Sequence, residues 1–182
     1  MSEMNRNEAL IGSAAFFLAA PGMVAGVIPW LITHWRFGDG ATLGVSIAGG
    51  ILIALALVLL IECFLRFALK GAGTPAPIAP TKELVISGFY ARVRNPMYVA
   101  VSALIYGQAL LFASAALIAY GITIWFAFLL FVIYYEEPRL MREFPNDYPA
   151  YFENVPRWVP RLTRWTPPKS EGRGGGHSAS LL

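Results

Sequence analysis

The sequence is short of charge. Asp, Glu, Lys and Arg make up 14% of its 182 residues, against about 25% in an average soluble domain. Hydrophobic residues make up 57%. A soluble fold of this length cannot hide that much apolar surface, so the composition points to lipid as the solvent. Cysteine is nearly absent: Cys63 stands alone, which excludes an internal disulfide framework and reads as a small buried hydrophobe. Histidine is scarce too. His34 and His177 lie far apart, which argues against a zinc site, and no metal is expected. A cleavable signal peptide is not expected, because the first apolar run is too long and has no small-residue cleavage site.

What is present is long uncharged runs. No charge falls in residues 9–35, 40–61 or 95–135. Each of the first two can cross a hydrocarbon core of about 30 Å as a helix, with Pro21 and Pro29 kinking or ending the first. The third run would be roughly 60 Å long as one helix, so a hairpin fits better. Its turn is expected near Phe112–Ala115, where Ala113 and Ser114 interrupt bulkier residues. The reading is an all-α, polytopic membrane protein with about four transmembrane helices, near residues 9–33, 41–65, 97–111 and 116–135. Helices are preferred because lipid leaves no outside partner for backbone polar groups.

The basic residues set the orientation. Of 14 Lys and Arg residues, Arg36 alone falls in the first hairpin loop. The positive-inside rule then places both termini in the cytoplasm, with a bacterial or archaeal inner membrane as the expected location. The basic excess is thus accounted for by topology, and no nucleic-acid partner is expected. Trp30, Trp35 and Trp125 suit membrane interfaces. Residues 1–168 read as one domain, and the Gly- and Ser-rich residues 169–182 as a disordered tail.

Two polar segments remain, residues 74–98 and 136–160. Residues 71–80 carry prolines that exclude regular structure. Gly88 suits a tight turn. Arg92 and Arg94 precede Asn95 and Pro96, a plausible N-cap and first helical residue, and the free donors of that helix start form a possible anion site. Glu136 and Glu137 follow the last apolar run, where carboxylates oppose the helix dipole and can face a cation or Arg92 and Arg94. Taken singly, each feature has a plain reading. Glu136-Glu137 can mark a membrane boundary, Asn95-Pro96 a helix start and Tyr98 an interfacial ring. Glu62 and Arg66 read as a boundary ion pair, and Gln108 as an interhelical hydrogen-bond partner. The segment from Pro156 to Trp165 mixes bases with rings and suits the anionic inner leaflet.

Taken together and in order, these features are more specific. Leu84-Val85, Gly88, Tyr90, Arg94-Asn95-Pro96-Met97-Tyr98, Glu136-Glu137, Leu140, Phe144, Tyr148, Tyr151 and Pro156 resemble the isoprenylcysteine carboxyl methyltransferase family and the related phospholipid methyltransferases. The resemblance covers residues 74–160, about half of the chain. It implies an S-adenosylmethionine-dependent methyltransferase with its cofactor region at the cytoplasmic face and a lipophilic acceptor in the membrane. Carried over by position, it implies a cofactor site of Lys82, Glu83, Leu84, Val85, Gly88, Tyr90, Arg94, Asn95, Pro96, Tyr98, Glu136 and Glu137, with Glu137, Asn95 and Tyr98 as candidate catalytic residues. A carboxylate acceptor needs no base, whereas an amine acceptor makes Glu137 the candidate base.

Two positions depart from the pattern. Many relatives have His where Asn95 stands, and Asn cannot titrate. Eukaryotic relatives that act on prenylated cysteine have an Arg about one turn before the first acid, where this chain has Val132. An amine-headed lipid or an isoprenoid acid is therefore also open as acceptor. Two other readings compete. One is a membrane sterol-reductase-like oxidoreductase using NADPH, for which four spans look too few. The other is a non-catalytic four-helix scaffold, which leaves the ordered polar residues unexplained.

Overall fold

The computed structural model describes residues 19–70 and 84–167. Lys82, Glu83, most of the Pro-rich connection, the start of the first predicted span and the tail from residue 169 lie outside them. The described residues form helices and no strand. We label the helices α1 (Ala19–Thr33), α2 (Leu43–Lys70), α3 (Pro96–Leu111), α4 (Ala115–Glu143) and α5 (Tyr148–Asn154). A short 3-10 turn, Gly88–Ala91, precedes α3.

Two of these helices, α2 and α4, are long and apolar enough to cross a membrane, and only 17% of the apolar window of each is buried inside the protein. A core helix of a soluble protein would be covered on most sides, so this exposure fits a lipid surrounding. The other two apolar helices, α1 and α3, are shorter than a full span over the described residues. With 16 residues, α3 extends roughly 24 Å.

Pro29 explains the middle of the bundle. Its missing N–H leaves a carbonyl one turn back without a donor, and α1 widens into a π-turn at Met23–Val27. The two carbonyls affected find partners on other helices. Gln108 Nε2 donates to Ala25 O at 2.7 Å, and the Tyr120 hydroxyl donates to Val24 O at 2.8 Å. Satisfying such groups inside the protein is what an apolar solvent demands. Gln108 is thus the interhelical partner that its position suggests.

Small residues let α2 and α3 approach. A Cβ on Gly49 would lie 2.5 Å from Leu111 N and 2.6 Å from Gly107 O, so these backbones touch directly. Below that contact Ala56, Leu60 and Phe64 of α2 interleave with Ala100, Val101, Leu104 and Ile105 of α3. The hairpin turn falls at Phe112–Ser114. Ala113 takes a left-handed backbone, φ 50°, and the Ser114 hydroxyl caps α4 by accepting from Leu117 N at 3.3 Å.

At the other end of the hairpin the chain doubles back. Pro138 follows a second π-turn, Val132–Glu136, a feature common where helices carry functional side chains. The stretch from Pro156 to Trp165 then runs along residues 91–95. Arg94 N donates to Pro156 O at 2.9 Å, Arg161 N to Arg92 O at 3.0 Å and Trp165 N to Ala91 O at 2.8 Å.

Candidate functional site

The returning segment, the start of α3 and the end of α4 enclose a polar cluster. Tyr98 projects from the first turn of α3, and its hydroxyl donates to Glu136 Oε2 at 2.8 Å. Its ring packs on Phe128, with centroids 4.7 Å apart. One residue on, Glu137 points to a different partner set. Arg157 holds it bidentately, Nε to Oε1 at 2.7 Å and Nη2 to Oε2 at 2.9 Å. Arg94 Nη1 lies 3.2 Å from the same Oε1. Glu137 is buried, at 7% exposure, so the two guanidiniums supply the compensation that a buried carboxylate requires.

Within the cluster two guanidiniums share the Glu137 carboxylate, while Glu136 is held separately by Tyr98. Arg94 is nearly enclosed, its side chain 8% exposed, and it stacks over the Phe152 ring, 4.0 Å from the centroid. Its Nε has no hydrogen-bond acceptor among the described residues, and its Nη1 has only the ion-pair contact with Glu137. The hydrogen bond from Arg157 to Glu137 raises the Arg157 pKa further.

Asn95 is buried and occupies the N-cap position of α3, but its side chain makes no cap bond. Its Nδ2 donates instead to Arg157 O at 3.1 Å, so it ties the returning segment to the helix start. Pro96 is the first residue of α3. Arg92, one of the two arginines expected to face the acids, points elsewhere. Its Nη1 donates to Leu162 O at 2.8 Å.

Leu84, Val85, Gly88 and Tyr90, the other predicted site residues among those described, pack against α2 and α5. Val85 and Tyr90 pack with Cys63 of α2, and Leu84 packs on Tyr148, Tyr151 and Val155. The Tyr151 hydroxyl donates to Tyr90 O at 2.7 Å. Burial raises the Tyr90 and Tyr151 phenols and pushes Tyr148 up to about 12, so all three are neutral hydrogen-bonding groups at physiological pH. Gly88 has φ +65° and sits directly on the Glu62–Arg66 ion pair. Arg66 Nη1 also reaches Ser87 Oγ at 3.3 Å.

Two members of the cluster carried no signal in the sequence. Arg157 looked like one of several bases in a surface segment, yet it is the main partner of Glu137. Trp158 packs at a tilt on Trp125 with centroids 4.7 Å apart and meets Tyr98 edge-on at 6.5 Å. Among the described residues no three His, Cys, Asp or Glu side chains come together as a metal cluster.

A helical chain with two membrane-length apolar helices, and a charged cluster at the open end of the α3–α4 hairpin, defines a membrane protein with a polar site at one end. The comparison with known families is specific: residues 45–147 match the phospholipid methyltransferase family. The chain belongs to that family and is a methyltransferase. No curated protein and no solved structure matches it.

Proposed function

We propose that the protein transfers a methyl group from S-adenosylmethionine to a lipophilic acceptor held in the membrane. The observation that carries this reading is the Tyr98–Glu136 pair lying beside the Arg94–Glu137–Arg157 triad. On this reading four helices cross the bilayer, both termini are cytoplasmic, and the cluster lies at the cytoplasmic face.

The donor set fits the cofactor. S-adenosylmethionine carries a carboxylate, an ammonium group and a sulfonium, and when bound it supplies an electrophilic methyl carbon. Arg94 is a buried cation with an unused donor, suited to the carboxylate. Glu136 accepts from the Tyr98 phenol; burial raises its carboxyl pKa, and the positive charge of an ammonium placed beside it would favour the ionised form. Tyr98 offers a ring face to the sulfonium. Val85, Gly88, Tyr90, Asn95 and Pro96 shape the surrounding wall, and Leu84, Lys82 and Glu83 belong to the same segment.

The chain's own work is mainly positioning. Methyl transfer needs the acceptor atom in line with the bond that breaks, and holding it there lowers the entropic part of the barrier. Guanidiniums engage both oxygens of Glu137. It acts as the anchor that fixes Arg94 and Arg157. Asn95 holds the returning segment over the site rather than moving a proton. Exclusion of water comes from Trp158, Phe128 and Phe152 around the cluster.

The direct test is incubation of purified protein with methyl-labelled cofactor and a total lipid extract, followed by identification of the labelled lipid. Calorimetric titration with the cofactor runs alongside. Saturable binding and a labelled lipid are expected. Folded protein that neither binds the cofactor nor labels any lipid overturns the reading.

A further inference from the structure

The indole N–H of Trp158 is placed without a partner among the described residues. Its Nε1 is buried and has no hydrogen-bond acceptor among the described residues. Leaving a donor unpaired in a dry place is unfavourable, and the surroundings supply none: Trp125 presents a ring at 4.7 Å and Tyr98 a ring at 6.5 Å. The position is nevertheless fixed. Arg94 N and Asn95 Nδ2 hold the carbonyls of Pro156 and Arg157 just before it, and Arg161 N is tied to Arg92 O just after it.

Its depth is informative. Trp125 lies about three helical turns before Glu136 along α4. The indole therefore reaches from the polar cluster toward the apolar part of the hairpin, where Phe126 and Leu130 are 57% and 54% exposed. On one side is Tyr98, the partner of Glu136. On the other is the surface that a lipophilic molecule approaches.

We propose that Trp158 is a positioning residue for the acceptor. Its N–H donates to an oxygen of the acceptor's headgroup (a carbonyl, carboxylate or phosphate oxygen), and its ring separates the cofactor end of the site from the lipid side. The inference rests on the methyltransferase reading and adds to it a requirement on the acceptor: an oxygen near the methylated atom. The indole takes no proton and forms no bond to the methyl group.

The test compares wild type with Trp158→Phe, which keeps a ring and removes the donor, and with Trp158→Leu. Each is reconstituted with increasing total lipid extract and methyl-labelled cofactor, and cofactor binding is titrated separately. For Trp158→Phe the half-saturating amount of extract is expected to rise about tenfold, the equivalent of one lost hydrogen bond. The cofactor Kd is expected to stay within about twofold. Trp158→Leu is expected to lose at least as much. If Trp158→Phe saturates like wild type, or if its loss falls on cofactor binding, the inference is overturned while the proposed function stands. If wild type binds no cofactor and labels no lipid, both fall.

Discussion

Tyr98 and Glu136, 38 residues apart, meet across the hairpin through a 2.8 Å hydrogen bond from phenol to carboxylate. The bond joins the first turn of α3 to the end of α4 and keeps Glu136 directed inward. Tyr98→Phe removes the donor and leaves the ring on Phe128. A hydrogen bond to a charged group is worth about 1.5–3 kcal/mol, so cofactor affinity is expected to fall about tenfold or more. Glu136→Gln should cost at least as much, because it also removes the charge offered to the ammonium. Calorimetry on both variants checks this, and wild-type affinity in both would remove the pair from the binding site.

The triad predicts an ordered set of stabilities. Glu137→Ala leaves two guanidiniums beside one another with no carboxylate, and removing one member of a buried ion pair costs about 3–5 kcal/mol. Arg157→Ala leaves Arg94 at 3.2 Å from the carboxylate, and the Arg157 side chain is itself 29% exposed. Its cost should be clearly smaller, about 1–2 kcal/mol. Thermal unfolding in detergent gives the order, and the double variant should cost less than the two single losses added together. Strict additivity would mean that the contacts are not coupled.

Much of this architecture is visible in the chain alone, and the reason is periodicity and punctuation. The uncharged run 95–135 is too long for one span, and Ala113-Ser114 is its weakest point, so both ends of α3 and the start of α4 fall within one residue of their expected bounds, while α4 runs on past residue 135 to Glu143. Glu136 and Tyr98 stand out as polar groups beside apolar runs. Arg157 and Trp158 do not. Their partners lie 20 and more residues away, and their segment reads locally as a surface strip of bases and rings. Asn95 shows the same limit from the other side. The sequence marks it as a helix cap, and the position is right, but the competing acceptor Arg157 O arrives from a distant part of the chain. Val132, where the prenylcysteine enzymes carry Arg, is fully buried at the start of the π-turn, so an Arg there would need a different packing of this hairpin.

Gly88 seats the turn before α3 against α2. Its φ of +65° disfavours any side chain by about 1–2 kcal/mol, and a Cβ would overlap the Glu62–Arg66 pair. Gly88→Ala is expected to lower the melting temperature and weaken cofactor binding together, because Tyr90 follows two residues on. Adding Arg66→Ala should restore only part of the loss: it relieves the overlap with Arg66 and leaves the backbone strain and the contact with Glu62. Full restoration would assign the whole cost to the overlap. No loss in Gly88→Ala would show that the turn does not hold the site.

The buried phenols predict how the polar end behaves in alkali. Burial raises Tyr148 to about 12 and raises Tyr151 and Tyr90 as well. In the unfolded chain a tyrosine titrates near 10. A group whose folded pKa is higher than its unfolded value contributes its stability in full below the unfolded pKa. Above about pH 10 the unfolded state releases protons that the folded state keeps, so stability falls as pH rises toward 12. Each such group contributes a slope of about 1.4 kcal/mol per pH unit. Melting midpoints should therefore be flat from about pH 7 to 9 and drop steeply above 10. Tyr151→Phe should lower the midpoint at neutral pH, through loss of the bond to Tyr90 O, and make the alkaline drop shallower. An equally steep drop in that variant would place the alkaline sensitivity in some other group.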